Sequence, residues 1–201
     1  MPPINQLLQS MTNRILLFTM IVFFLIEMFF AGGRTGLELY SWNTPRFEIW
    51  QFVSYMFLHS GVTHLLFNMI ALWSFGRILE RAWGNQRFLI FYLACGVGAA
   101  LISQLVDQFV YGQTYYSAMV GASGAIYGVL IAFALLFPNF KIMLIFLPVP
   151  IAAKYFVPVL LLIDLSAGVT GISIFGQNIA HFAHIGGAVM GFLLVKFWLN
   201  L

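Results

Sequence analysis

Charge is what this chain has least of. Only 7% of its 201 residues are Asp, Glu, Lys or Arg, against about 25% in an ordinary soluble domain. That shortage excludes a water-soluble globule. Cysteine is almost absent as well. Cys95 is the single one and sits inside an apolar run, so an intrachain disulfide and a cysteine-based metal site are both excluded. No His-Glu-x-x-His occurs, and the four histidines lack an acidic partner at ligand spacing. The zinc-protease reading falls with them, and no metal or cofactor is expected. Nor is there an internal repeat, a low-complexity tract or a basic patch suited to nucleic acid. The net charge of +3 reports lysines and arginines in loops.

What remains is hydrocarbon. The chain is 62% hydrophobic, with 22 phenylalanines. At about 20 residues per crossing, this length allows six or seven membrane helices and no separate soluble domain. We therefore expect one all-α polytopic membrane domain over residues 1–201, with 1–13 as a short cytoplasmic lead. The first span runs from Arg14 to Phe30. Ala31-Gly32-Gly33 after it resembles a signal-peptide cleavage site, but the apolar run is long and further spans follow, so the helix is retained. Residues 32–58 form the longest connection. There Trp42, Phe47, Trp50, Phe52, Tyr55, Met56 and Phe57 mingle with Arg34, Glu38, Arg46 and Glu48, a mixture suited to the headgroup zone.

Further spans are expected at about Val62–Ile78, Phe88–Val106, Ser123 to Phe137-Pro138, Tyr155–Val169 and Ile179–Leu199. The stretch 140–158 is broken by Pro148, Pro150 and Pro158, and Gly171–Asn178 reads as a flexible loop. Six spans put Arg14, Arg77, Arg81, Arg87, Lys141, Lys154 and Lys196 on one side, and only Arg34 and Arg46 on the other. By the positive-inside rule both termini are cytoplasmic and the start of span four faces outward.

Against this background a few polar groups call for an explanation. Ser123 stands in Gly121-Ala122-Ser123-Gly124-Ala125-Ile126-Tyr127-Gly128 at the mouth of an apolar helix. Close helix packing is the plain reading of such small residues. His64 and Asn68, four apart, share one face of span two, and His184 lies in span six within Ala183-His184-Ile185-Gly186-Gly187. Gly124 and Gly128, like Gly187 and Gly191, are one turn apart. Two notched faces would let spans four and six touch, bringing the Ser123 hydroxyl to the His184 imidazole. A serine becomes a nucleophile when an adjacent base takes its proton. No Asp or Glu is placed to orient His184, so Tyr127, four residues beyond Ser123, is expected to fix the ring by stacking. Candidate oxyanion donors are the Asn68 amide, a His64 ring N–H and the backbone N–H of Ser123.

These residues resemble the rhomboid family of intramembrane serine proteases. The signatures are Phe57-Leu58-His59 with His64-Leu65-Leu66-Phe67-Asn68, then Gly121-Ala122-Ser123-Gly124, then Ala183-His184-Ile185-Gly186-Gly187, from about Trp50 to Gly191. The resemblance implies Ser123 as nucleophile and His184 as general base. It also implies His64, Asn68 and Gly121 at the oxyanion site, Tyr127 supporting the histidine, and a first connection embedded in the membrane. Gly171–Asn178 would be a cap over the site. It further implies a six-helix fold and an endopeptidase that cleaves transmembrane protein substrates near the outer face, as expected of a bacterial inner-membrane protein working within lipid. Where the family often has Trp-Arg, this chain has Trp50-Gln51. His59 is expected to anchor its loop as a hydrogen-bond donor, and His181, three residues before His184, to be structural. Glu27 and Asp164 have no assigned role, and lone carboxylates inside a bilayer are functional suspects. An inactive relative that binds membrane clients is the alternative, and a transporter built on Glu27 and Asp164 is a third reading.

Overall fold

The computed structural model describes residues 11–30, 36–110, 118–144, 147–170 and 181–198. Among the described residues six apolar helices form the bundle: α1 (Met11–Phe30), α2 (Val62–Trp83), α3 (Asn85–Phe109), α4 (Ser123–Leu136), α5 (Ala153–Thr170) and α6 (His181–Phe197). Four of them, α1, α2, α3 and α5, are long and apolar enough to cross a membrane, while α4 and α6 are 14 and 17 residues long. The expected cap Gly171–Asn178, the cleavage-like Ala31-Gly32-Gly33, Arg34 and the start of span six lie outside the described residues.

The centre is α4. It is buried on nearly every side, as an apolar helix lacking a polar face must be, and α3 and α6 pack against it. Glycines bring the backbones together. A β-carbon on Gly187 would overlap the carbonyl of Gly124, and one on Gly191 would lie 2.6 Å from the Cα of Gly128. Gly128 in turn faces the buried sulfur of Cys95 on α3. The outer faces remain apolar and uncovered, with Phe18 and Phe29 on α1 each 69% exposed.

Polar anchors hold the periphery. The carboxylate of Glu80 on α2 accepts the backbone N–H groups of Thr12 and Asn13 at 2.8 and 3.1 Å, satisfying two donors that the first turn of α1 leaves unpaired. Asn13 then donates to the carbonyl of Leu72 at 2.9 Å, at the start of a π-helical turn, Leu72–Gly76, within α2. The first connection carries a short helix, Gln51–Ser54, and a 3₁₀ turn, Tyr55–Phe57. Gln51 is fully buried there. Its Oε1 accepts the N–H of Tyr40 (3.2 Å), and its Nε2 donates to the carbonyls of Gly36 (3.1 Å) and Arg46 (2.9 Å). The glutamine thus ties its own loop without an arginine.

The proline-broken stretch is more ordered than expected. Strands β1 (Lys141–Leu144) and β2 (Leu147–Ala152) pair antiparallel, with Lys141 opposite Ala152 and Ile142 opposite Ile151. Proline is barred from central strands because it cannot donate to the ladder. A two-stranded ribbon has a free outer edge, and Pro148 and Pro150 are tolerated in it.

Candidate active site

The turn into α4 is shaped by Gly121. Its φ of 127° is one that L-residues rarely adopt. A β-carbon there would also fall 2.7 and 2.8 Å from Cε1 and Nε2 of the His64 ring. The Gly121 N–H is spent on the carbonyl of Tyr55 at 2.9 Å. Ser123 follows as the first residue of α4, half-buried, with its Oγ 2.7 Å from Nε2 of His184. The close approach of α4 and α6 at their paired glycines makes this contact. Ser123 and His184 are 61 positions apart in the chain.

The His184 ring is held on two sides. Tyr127 stacks on it with centroids 4.3 Å apart and planes 8° from parallel, as expected from its position one turn beyond Ser123. Asp164, which is 1% exposed, corrects the reading that no acid orients this histidine. Its Oδ1 lies 3.1 Å from His184 Nδ1 and 2.7 Å from His181 Nδ1, and its Oδ2 accepts the Tyr127 hydroxyl. Sequence spacing could not reveal this, because Asp164 arrives on α5, where Gly168 sits against His181 and Phe182. The available signals were a carboxylate in an apolar helix and a second histidine three residues before the first. Asp164, His181 and His184 keep one ligand atom each within 4.8 Å of one another. Those gaps are bridged by hydrogen bonds, so a metal would have to displace them.

The α2 side is arranged differently. Ser60 directs both its N–H (3.4 Å) and its hydroxyl (3.0 Å) to Nδ1 of His64. With Nδ1 accepting from that N–H, the ring proton is left to Nε2, which lies against Gly121. Asn68 is buried and donates its amide to the carbonyl of His64, one turn back, at 2.9 Å. His59 departs from expectation. Neither ring nitrogen has a hydrogen-bond partner among the described residues, and the ring lies edge-on to His64 at 5.1 Å. Burial, with His64 beside it, pushes its pKa down to about 3. It is the backbone N–H of His59 that reaches a side chain, Glu27 on α1. The other carboxylate oxygen of Glu27 is buried and unpartnered among the described residues.

Comparison with known proteins identifies relatives of this chain. A family profile described as the Rhomboid domain matches residues 46–200. The rhomboid protease GluP of Bacillus subtilis is 36% identical over 180 residues, covering 86% of this chain and 31% of that protein. The chloroplastic Rhomboid-like protein 11 of Arabidopsis thaliana is 35% identical over 182 residues, covering 88% of this chain and 60% of the relative. For the rhomboid protease AarA of Providencia stuartii the figures are 32% over 160 residues, 72% and 54%. The chain thus spans between 31% and 60% of the length of these relatives.

Proposed function

The chain belongs to the rhomboid family, and from that membership we propose that it is an intramembrane serine endopeptidase. The observation that carries the proposal is the 2.7 Å contact between Ser123 Oγ and His184 Nε2 inside an apolar bundle. His184 takes the hydroxyl proton as Ser123 Oγ attacks the scissile carbonyl carbon. The negative charge on the carbonyl oxygen is met by the Nε2–H of His64 and the backbone N–H of Ser123, the latter at a helix start where it lacks an intrahelical partner. Asn68 joins them once its amide swings away from its own helix, and Gly121 leaves the room that His64 needs. The tetrahedral adduct collapses as His184 returns the proton to the leaving amine. Water then hydrolyses the acyl-enzyme with the same histidine as base.

Substrates on this reading are transmembrane proteins whose helices unwind easily, entering from the lipid. With six crossings, the seven-to-two bias of basic residues supports cytoplasmic termini and a site near the outer face, and on this reading the membrane is a bacterial inner membrane. The test is the chain in proteoliposomes with a model transmembrane substrate and a fluorophosphonate probe. Ser123→Ala should abolish both cleavage and labelling. Cleavage that persists in this variant, or labelling at another residue, rejects the mechanism.

A further inference from the structure

Asp164 has more to do than sit paired in a buried place, and the atoms around it say what. A carboxylate can only accept hydrogen bonds, and this one has three polar groups at bonding distance, from α4 and α6. Oδ1 lies against Nδ1 of both His181 (2.7 Å) and His184 (3.1 Å), and Oδ2 receives the Tyr127 hydroxyl. Two imidazole nitrogens facing one carboxylate oxygen must both carry protons. His184 is therefore the Nδ1–H tautomer, and its Nε2 lone pair is directed at Ser123 Oγ. The reverse tautomer would present N–H to the hydroxyl and could not remove its proton.

Resting on the serine-protease reading above, we infer that Asp164 is the positioning residue of a buried Ser123–His184–Asp164 triad, with His181 and Tyr127 holding the carboxylate in register. Charge leads to the same place. When Ser123 attacks, His184 becomes an imidazolium at 8% exposure, where little water is at hand to stabilise it. The carboxylate 3.1 Å away supplies the opposite charge in advance, so the step brings a cation to an anion rather than creating an isolated ion. His181 and Tyr127 offset the cost of keeping that anion dry before the reaction begins. The three side chains come from α4 and α6 and meet Asp164 on α5, so the carboxylate also fixes the Tyr127 ring that stacks on His184.

The decisive experiment pairs kinetics with a readout that needs no activity. In the full chain reconstituted in lipid, ¹⁵N NMR of selectively labelled histidine should find His184 protonated at Nδ1 and bare at Nε2. The opposite tautomer in the wild-type chain overturns the inference, whether or not the chain cleaves anything. Asp164→Asn keeps the size and the acceptor for Tyr127 but offers N–H where the carboxylate accepted. It should lower kcat by about 10²–10⁴-fold with KM little changed and redistribute the His184 tautomer. His181→Gln, which leaves the His184 contact in place, should lower kcat by under tenfold. If Asp164→Asn retains kcat within about threefold of wild type while Ser123→Ala is dead, the protease reading stands and the triad falls. If the wild-type chain neither cleaves nor labels at Ser123, the protease reading itself fails, and the tautomer alone decides whether Asp164 orients the ring.

Discussion

Two clusters of polar groups flank the mouth of α4, and they are held in opposite ways. Around Asp164, on α4, α5 and α6, hydrogen bonding is saturated, with three donors on two carboxylate oxygens and a tyrosine ring stacked on the central imidazole. Around His64, on α2 and the turn before it, bonds are left over. Both ring nitrogens of His59 lack partners among the described residues, and Asn68 spends its amide on its own helix. Buried polar groups normally find partners. The difference makes sense if one cluster must hold a proton donor and acceptor in fixed register before substrate arrives. The other must keep donors in reserve for a charge that exists only in mid-reaction.

Substitutions on each side should separate the two clusters. His184→Ala attacks the saturated side, and kcat should fall by about 10⁶-fold. The melting temperature should fall with it, since Asp164 loses a donor. His64→Ala on the open side should cost about 10²–10³-fold in kcat and leave thermal stability nearly unchanged. Calorimetry on both variants checks the contrast, which fails if His64→Ala melts as early as His184→Ala. Tyr127→Phe keeps the stack and removes one donor to Asp164. Stability should drop by about 1–3 kcal/mol for the thwarted carboxylate, and kcat by less than tenfold.

A further test is a pH dependence of stability from His59. Its ring resists protonation in the fold down to about pH 3, whereas in the unfolded chain it binds a proton below about 6.5. This contribution to stability is therefore intact above about 6.5 and declines as pH falls, by up to about 1.4 kcal/mol per pH unit, levelling near the folded value. Thermal melts of wild type and His59→Phe across pH 4–8 should show the wild type losing more stability toward the acid end, and equal losses would clear the ring of responsibility.

What could be read from the sequence followed the same division. The Ser123–His184 contact was legible because glycines mark where two backbones touch, and Tyr127 because one helical turn separates it from Ser123. The helices emerged from apolar run length alone, with ends displaced by a few residues, as in α2, which continues to Trp83 rather than stopping at Ile78. Asp164 stood out only as a carboxylate in the wrong solvent. Its partners come from two other helices, and no spacing rule links α5 to α6. The hairpin of β1 and β2 was hidden by prolines, whose ban on strands applies to both-sided pairing and not to a ribbon's edge. The role of Gln51 was equally invisible, since carbonyls and N–H groups that receive a buried amide carry no side-chain signature.

The π-helical turn at Leu72–Gly76 acts as a phase shifter in α2. A π turn holds one residue more than the α turn it replaces, and each residue of an α-helix accounts for a rotation of about 100°. The half bearing His64 and Asn68 and the half bearing Glu80 are thus set in azimuth by that surplus residue. Excising Ser74 would restore even winding but swing one half about a quarter-turn against the other. Length there is a matter of alignment, and a codon deletion would be felt as a rotation.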